Sequence, residues 1–435
     1  MKKIKLLYSA FFLLFLFICA VPTIIQTLYW LRDFYREQYN EVMLNHKTEM
    51  NRPNELAAAR HAPSPEKKRN SIKQSKRPKS STFRMVKKII RKMLPEQKEF
   101  EEQLVSVFPF RIIFSEISMA FRNFMGMKFP IENSRYYLRP NGTLGMMPVA
   151  AAELYPLERI LNMKKAAEKV HARFQVIARP DNRMNADVEI YTGIHDLSDT
   201  ILDNRIQGLK RYGLTVWDMR TEWNKLPDRQ KLFFQTDHHW NVYGALQGAR
   251  ILASMLNENC QLDYDLREFD LRQFQCFRLK NIFLGSIGNN LTIEYVSTAG
   301  MEDFDILLPV RKTDFTLINS KNHYARGDFS IFLFKRHWKY DPYRAAVHNT
   351  WLNGDMAAVK IINHGIPKEK GRKLLFIKDS YCNSMIPYLA LQTREIVMLD
   401  PRYQSDKKMQ ENIEKEKPDW VLWIYPLHRD LEEVL

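Results

Sequence analysis

The sequence predicts an α/β domain whose parallel sheet is covered by helices on both faces. Short apolar runs, typical of buried strands, alternate with segments that carry apolar residues at three- and four-residue spacing, as amphipathic helices do. With 435 residues and 45% apolar content, the chain is long enough to bury one large core. Alternating strands and helices favour a parallel sheet, because parallel strands need a crossover connection.

Two strand and helix pairs are predicted in the first half of this domain. Residues 175–178 and 214–217 are apolar runs that we expect to form strands. The apolar positions of the two helical patterns are Leu157, Ile160, Leu161 and Val170, followed by Leu197, Ile201, Leu202, Ile206 and Leu209. A further helix is expected to begin near Trp240.

The same alternation returns near the C-terminus. Strands are predicted at 373–378, 395–399 and 420–425, with helices from about Asn383 and over 405–416. Residues 262–350 are less regular and include an aromatic-rich strand candidate, 329–334. We interpret this region as an insertion or an extra sheet.

The N-terminus has the pattern of a membrane anchor. Residues 1–5 form a basic tail that we expect to be cytoplasmic, and residues 6–29 contain no charged side chain. A helix of this length covers about 36 Å, enough to span a bilayer. Residues 101–435 would then form an extracytoplasmic domain. A cleaved signal peptide, or a lipoprotein modified at Cys19, is the alternative.

A strongly basic segment follows the anchor, within the juxtamembrane region and linker at 30–100. Residues 60–92 contain thirteen lysines and arginines against one acid, Glu66, which supplies most of the net charge of +16. Residues 60–82 have little apolar surface to bury and are expected to form an extended tether. The charge belongs either to a solvated spacer or to a contact with anionic lipids or polymers. No aromatic reader motif accompanies it, so nucleic-acid binding is not predicted.

The four cysteines do not indicate a metal site or a disulfide framework. They are Cys19, Cys260, Cys276 and Cys382, and their spacing lacks the CxxC pattern of zinc sites. A single bridge between Cys260 and Cys276 stays open. Cys382 is a rival nucleophile, although packing explains it equally. No cofactor is expected.

Residues 235–241 read Gln-Thr-Asp-His-His-Trp-Asn and set a carboxylate beside two imidazoles. Side chains alternate in an extended segment, so Asp237 and His239 would share one face while His238 points to the other. A carboxylate in this position can fix the tautomer of an imidazole that takes a proton. The alternative is that the three side chains cap the following helix.

Ser380 is the nucleophile that best matches this pair. An apolar strand ends near Ser380 and a helix begins soon after it, so the hydroxyl would lie at the carboxyl edge of the sheet, where ligands bind. Backbone N–H groups at such a turn can stabilise an oxyanion. As an isolated observation, a serine after a strand equally indicates a helix N-cap.

Four motifs in order carry a resemblance to a known family: TDHHWN, FLGSIG at 283–288, KDSYCNS at 378–384 and LDPRY at 399–403. They resemble the DHHW family, which is similar to the SGNH-hydrolase-like domains of alginate O-acetyltransferases. The resemblance covers about residues 130–430. It implies an SGNH-hydrolase-like fold with Ser380 as nucleophile, His239 as general base and Asp237 as the residue that orients it.

The resemblance also implies a function. We expect a membrane-tethered serine O-acyltransferase or acetylesterase that acts on a cell-surface or secreted polysaccharide beside a membrane-bound O-acyltransferase. A non-catalytic assembly or polymer-binding subunit is one alternative. The other is a metal-dependent hydrolase that uses Asp237, His238, His239 and His195, although no metal ligand set is predicted.

The chain departs from the family pattern at the nucleophile motif, where Lys378 replaces a glycine. Oxyanion donors are expected among Gly285, Gly288 and Asn289, although their motif equally suits a turn between strands; the backbone N–H of Ser380 is the other donor. Two residues are candidates for substrate binding, His195 in a loop and Arg402, which could bind an anionic group or form a salt bridge.

Overall fold

The computed structural model describes residues 111–127, 136–139, 144–146, 152–154, 156–182, 197–296, 301–321, 323–338 and 347–430. The predicted tail, anchor and linker all lie outside these residues. Within the described ranges, no helix is both long and apolar enough to cross a membrane. The described residues from Glu116 onward belong to one compact unit, and 111–115 belong to the N-terminal one.

Helices and strands alternate along most of the described chain. The helices are α1 (Arg111–Phe124), α2 (Leu157–Lys169), α3 (Ser198–Arg211), α4 (Arg220–Trp223), α5 (Val242–Cys260), α6 (Ser286–Tyr295), α7 (Tyr381–Ala390) and α8 (Asp406–Glu416). The strands are β1 (Tyr136–Leu138), β2 (Leu144–Met146), β3 (Ala152–Leu154), β4 (Arg173–Ala178), β5 (Val216–Asp218), β6 (Phe274–Phe283), β7 (Glu302–Pro309), β8 (Phe315–Asn319), β9 (Tyr324–Gly327), β10 (Ala358–Asn363), β11 (Lys373–Ile377), β12 (Glu395–Leu399), β13 (Trp420–Trp423) and β14 (His428–Asp430).

The central sheet has eight strands in the order β5-β4-β13-β11-β12-β10-β8-β9. The five strands from β5 to β12 in this order run parallel to one another, as the sequence predicts. Strand β10 runs antiparallel to both β12 and β8, and β9 runs antiparallel to β8. The sheet is therefore mixed, and the expectation of a purely parallel sheet is wrong at this end.

Helices pack on both faces of the sheet, which confirms that part of the prediction. Along β11, Leu375 and Ile377 join one core with the apolar faces of α2, α3 and α8. Leu374 and Phe376 point to the opposite face and join the core that contains α5 and α7. Because side chains alternate along a strand, one apolar run supplies both cores.

The irregular region contains both an extra sheet and an extension of the central one. Strands β6 and β7 pair with each other in a separate two-stranded sheet, while β8 and β9 join the central sheet. The strand predicted at 329–334 is wrong, because Phe329–Phe332 form a short 3-10 helix. Phe329 and Phe332 are both buried, so core packing and not strand pairing explains the aromatic pattern.

The cysteines form no disulfide in the described chain. Cys260 and Cys276 are both free, so the open possibility of a bridge between them is excluded in this structure. Cys382 is buried, and burial raises the pKa of its thiol. A thiol that resists deprotonation is a poor nucleophile, which leaves Cys382 with a packing role.

Candidate active site

Ser380 lies in the turn between the end of β11 and the start of α7, at the carboxyl edge of the parallel strands. Its side chain makes no capping hydrogen bond to the helix. The Ser380 Oγ instead lies 2.8 Å from Nε2 of His239. The structure therefore brings the predicted nucleophile within hydrogen-bond distance of the predicted base, although the two residues are 141 positions apart in the chain.

Asp237 lies on the other side of the same imidazole. Its Oδ1 is 2.5 Å from Nδ1 of His239 and also accepts the backbone N–H of His239 at 2.9 Å. Because an ionised carboxylate only accepts hydrogen bonds, Nδ1 must carry the imidazole proton. Nε2 is then left to accept the hydroxyl hydrogen of Ser380, which is the arrangement a general base requires.

The second carboxylate oxygen of Asp237 accepts the backbone N–H of Ser286 at 2.7 Å, at the first residue of α6. Burial by itself would raise the pKa of this carboxyl. The neighbouring His239 and His238 and the hydrogen bond to His239 outweigh burial and hold the pKa well below its ordinary value. Asp237 therefore remains a carboxylate, and the positive end of a helix adds to this preference.

His239 is buried and has a low basicity. Burial lowers its pKa well below the ordinary value, and the nearby His238 and His348 lower it further, while Asp237 acts in the opposite sense. A low pKa keeps the imidazole neutral at neutral pH. His239 is thus present in the form that can accept the Ser380 proton.

The backbone of the aspartate-histidine segment is bent and not extended, so the alternation argument does not describe it. The rings of His238 and His239 lie together, with centroids 3.9 Å apart. The bend is held by Glu302, whose carboxylate accepts the N–H groups of Gln235 at 2.8 Å and Thr236 at 2.7 Å. The pairing of Asp237 with His239 forms nevertheless, through this turn.

The helix that follows the segment is capped by Asn241. Its side chain accepts the N–H groups of Tyr243 and Gly244, each at 3.1 Å. The cap position of α5 is therefore taken by an asparagine. The alternative that Asp237, His238 and His239 serve as its cap is thereby removed.

The predicted oxyanion glycines support the aspartate loop instead. The N–H of Gly285 donates to Thr236 Oγ1 at 3.0 Å, and the N–H of Gly288 donates to the Thr236 carbonyl at 2.9 Å. The side-chain amide of Asn289 donates a hydrogen bond to the Leu284 carbonyl. These groups already donate hydrogen bonds within the protein, so their assignment as oxyanion donors is corrected. Their sequence motif forms the start of helix α6 and not a turn between strands.

Gly285 is required by close packing. A Cβ atom built at this position would lie 2.2 Å from Cβ of Asp237, closer than real Cβ atoms approach. The side-chain amide of Asn182 donates a hydrogen bond to the backbone carbonyl of Asp237 at 3.3 Å, so the backbone of Asp237 has little room to move away. A glycine therefore allows α6 to begin directly against the carboxylate.

Arg179 holds the residues on both sides of the nucleophile. It follows β4 and is almost fully buried, with Nη2 2.5 Å from Oδ2 of Asp379. Its guanidinium lies over the ring of Tyr381, 3.6 Å from the centroid. The Tyr381 hydroxyl in turn donates to the carbonyl of His238. Arg179 thus links the nucleophile turn of Ser380 to the histidine loop.

Among the described residues, no acceptor pairs with the backbone N–H of Ser380. The neighbouring N–H of Tyr381 donates to Asp379 Oδ1 at 3.2 Å. Ser380 is partly accessible to solvent. Its free N–H is the donor that can meet an oxyanion formed on this serine.

Lys378 and Arg402 belong to a buried ionic network behind the nucleophile turn. Lys378 is fully buried, and its Nζ lies 3.3 Å from Asp400 Oδ2 and 2.8 Å from Asn383 Oδ1. Arg402 pairs with Asp400 at 2.7 Å and with Asp355 at 3.0 Å. Arg402 therefore forms the salt bridge, and its proposed use for an anionic substrate group is not supported.

Asp237, His238 and His239 also place their ligand atoms within 4.8 Å of one another. However, the Asp237 and His239 atoms share a hydrogen bond, and the other His239 nitrogen faces Ser380. A metal ion would have to replace both hydrogen bonds. The remaining predicted ligand, His195, lies outside the described residues.

Four residues that contact this site were missed by sequence reasoning: Arg179, Asn182, Ser286 and His348. One signal could have found Arg179, which directly follows a predicted parallel strand and so shares the sheet edge of Ser380. Ser286 lies inside the FLGSIG motif. His348 lies in a segment with no regular pattern, and only the tertiary structure brings it to the site.

A family of known proteins matches one segment of the chain. Residues 172–276 match the SGNH-hydrolase-like domain of the acetyltransferase AlgX. The predicted resemblance is confirmed. The matched segment extends from β4 into β6 and includes Asp237 and His239, while Ser380 lies beyond it. No curated protein sequence matches the chain.

The chain is similar to several solved structures, and the likeness to the first of them, PatB1, supports the fold. PatB1 of Bacillus cereus, in a structure with a sulfonyl adduct, is 16% identical, with a TM-score of 0.53 over 67% of this chain and 93% of that chain. A DHHW family protein from Eubacterium siraeum is 17% identical, covering 68% and 91%, with a TM-score of 0.49. The O-acetyltransferase domain of Pseudomonas putida AlgJ is 12% identical, covering 68% and 94%, with a TM-score of 0.40.

Proposed function

We propose that this protein is a serine O-acyltransferase or acetylesterase whose substrate is a cell-surface or secreted polysaccharide. The observation that carries the proposal is the continuous contact from Asp237 through His239 to Ser380, with distances of 2.5 and 2.8 Å. Such a chain of contacts is the recurring geometry of acyl transfer by an activated serine. The match to an acetyltransferase family supports acetyl as the acyl group.

The reaction begins at the serine hydroxyl. Its oxygen attacks the carbonyl carbon of an acyl donor while His239 Nε2 takes the hydroxyl proton. The resulting oxyanion is stabilised by the free N–H of Ser380. When the tetrahedral species collapses, the leaving group takes the proton from His239, and an acyl ester remains on the serine.

The second half-reaction regenerates the serine. A sugar hydroxyl, or water, gives its proton to His239 and attacks the carbonyl carbon of the acyl ester. The bond between that carbon and Ser380 Oγ then breaks, and Ser380 Oγ takes the proton back from His239. Transfer and hydrolysis differ only in this acceptor, so exclusion of water from the site decides between them. Throughout both halves, Asp237 keeps the imidazole in the tautomer that leaves Nε2 free.

The proposal includes an extracytoplasmic location. The uncharged segment at 6–29 and the basic tail before it motivate a membrane anchor with a cytoplasmic N-terminus. A membrane-bound O-acyltransferase is the proposed partner that would bring acyl groups across the bilayer. Protease protection in intact cells would test this arrangement, since a cytoplasmic domain would resist external protease.

The acyl-enzyme is the direct test of the proposed function. Purified full-length protein is treated separately with 4-nitrophenyl acetate and phenylmethanesulfonyl fluoride, digested with trypsin and analysed by tandem mass spectrometry. We expect the modification on Ser380 within the peptide 379–394, and not on Ser384 of that same peptide. An acetyl group that then moves to an added oligosaccharide would establish transfer.

Two results of this experiment would contradict the proposal. An absence of adduct and of turnover on acetyl esters would favour a non-catalytic binding subunit. Turnover that is lost with EDTA and restored by a metal ion, without an adduct, would favour metal-dependent hydrolysis by Asp237, His238 and His239.

The pH dependence of acylation follows from the low basicity of His239. Its pKa lies well below the usual 6.5 because of burial, so the neutral, active form persists as the pH falls through 6.5. Asp237 also keeps a lowered pKa and stays ionised over that range. We expect the rate of Ser380 acylation to lose half of its maximum only below pH 6.5, measured at constant ionic strength. A midpoint above pH 6.5 would contradict this.

A further inference from the structure

His348 lies against the proposed catalytic base. Its ring is nearly parallel to that of His239, at an angle of 16°, with centroids 3.9 Å apart. The ring of His238 also lies 3.9 Å from His239, at an angle of 36°. The imidazole of His239 is therefore packed between two others, while Asp237 and Ser380 bind its edge.

The backbone around His348 is firmly held. His348 belongs to the short 3-10 helix Val347–Thr350, whose end residues are fully buried. The indole N–H of Trp338 donates to Thr350 Oγ1 at 3.1 Å, and the N–H of Leu352 donates to the Phe332 carbonyl at 2.9 Å. His348 is thus presented to His239 by a fixed part of the core.

In the part of the chain that the structure describes, no hydrogen bond holds the side chain of His348. Its Nε2 is buried and has no hydrogen-bond partner among the described residues. A buried polar atom without a partner costs free energy, and an apolar side chain in this place would avoid that cost. Burial also lowers the pKa of His348, so the ring stays neutral against its neighbour.

We propose that His348 is a positioning residue for acyl transfer, whose ring covers one face of His239 and holds the imidazole in the plane that joins Asp237 to Ser380. It does not touch the reacting atoms. This inference rests on the proposed function, because His239 must be the base for its orientation to affect the rate. Stacked aromatic rings have a preferred geometry, which an aliphatic side chain does not impose.

The test compares two substitutions at this position. His348→Phe keeps a flat ring, and His348→Ala removes it. We expect His348→Ala to slow the modification of Ser380 by phenylmethanesulfonyl fluoride about 10- to 100-fold, since a slightly misplaced catalytic group can cost this much. His348→Phe should restore most of the rate. In acetyl transfer the loss should appear in kcat, with KM nearly unchanged.

A second readout needs no reaction. His239 is faced by the titratable groups of Asp237, His238, His348 and Tyr381. His348→Ala exposes one face of the His239 ring to solvent and removes a neighbouring imidazole. Both changes raise the pKa of His239. Histidine NMR titration of the full chain should show this rise, and His348→Phe should show a smaller one.

The outcomes separate this inference from the proposed function. A rate and a His239 titration unchanged in His348→Ala would overturn the positioning role. So would a His348→Phe variant as slow as His348→Ala, because the ring face alone would then not suffice. If the wild type neither transfers nor hydrolyses an acetyl group, the proposed function fails, while the labelling rate of Ser380 and the titration of His239 still test the role of His348.

Matched controls guard against a loss of folding. His323→Ala removes another histidine ring that packs on an aromatic residue, Phe334, away from the site. Its labelling rate should equal that of the wild type. Thermal unfolding is measured for every variant. If His348→Ala does not fold, His348→Leu, which fills the space without a flat face, takes its place with the same expected loss.

Discussion

Substitution of Ser380 by alanine is expected to lower acyl transfer or ester hydrolysis on the order of 10⁴- to 10⁶-fold, as removal of a serine nucleophile does in other triads. The reason is geometric. The Ser380 Oγ is the atom that His239 Nε2 can deprotonate, at 2.8 Å, and no covalent intermediate can form without it. The measurement is kcat/KM on 4-nitrophenyl acetate, together with the mass of the protein after labelling.

Ser384→Ala is the matched control for this prediction. Ser384 lies one turn further along α7, is buried and accepts a hydrogen bond from Trp240 Nε1 at 3.2 Å. Its loss should reduce the stability of the fold by about 1 kcal/mol while activity stays near the wild-type level. Full activity in Ser380→Ala would refute the assignment of the nucleophile. Loss of activity in Ser384→Ala alone would place the reacting serine there instead.

The parallel half of the sheet could be predicted because its strands are apolar throughout. A strand buried on both faces is a continuous apolar run, and 395–399 matches β12 residue for residue. The antiparallel half could not be predicted in the same way. Strand β10 alternates between buried and partly exposed positions, and nothing in its local pattern specifies that β8 and β12 are its neighbours.

The residues of the proposed triad were predictable for a different reason than the residues around them. Asp237 and His239 lie two residues apart in the sequence, and Ser380 lies at a strand end, where position alone indicates a role. The geometric argument used for the first two assumed an extended chain, while the structure has a turn held by Glu302. The prediction of Asp237 and His239 as a pair thus came from residue types and family resemblance more than from alternation.

The supporting residues depend on contacts between distant segments. Gly285 was noticed as a glycine near the site, but its contact with Asp237 arises from the packing of α6 against a loop 48 residues earlier. His348 reaches His239 from more than 100 residues away, in a segment without a periodic pattern. Such close approaches are set by tertiary packing, which no local pattern encodes.

The adjacent histidines allow the sharpest test of the base. His239→Asn is expected to lower kcat/KM on the order of 10⁴- to 10⁶-fold, because the Ser380 hydroxyl then has no group that can accept its proton. Asparagine is polar and close in length, so the hydrogen bond to Asp237 can be replaced without opening a large cavity. The buried carboxylate of Asp237 would otherwise lose a partner and destabilise the fold.

His238→Asn should lower kcat/KM by no more than about tenfold, since Asp237 and the stacked ring of His348 still hold the imidazole of His239 in place. His238 is partly exposed and bonds Ser286 Oγ at 2.9 Å, with no contact to Ser380. The pair shares one backbone segment, so a general disturbance of the loop would affect both variants alike. Equal losses in the two variants would therefore refute His239 as the specific base, whereas a difference of several orders of magnitude assigns proton transfer to His239.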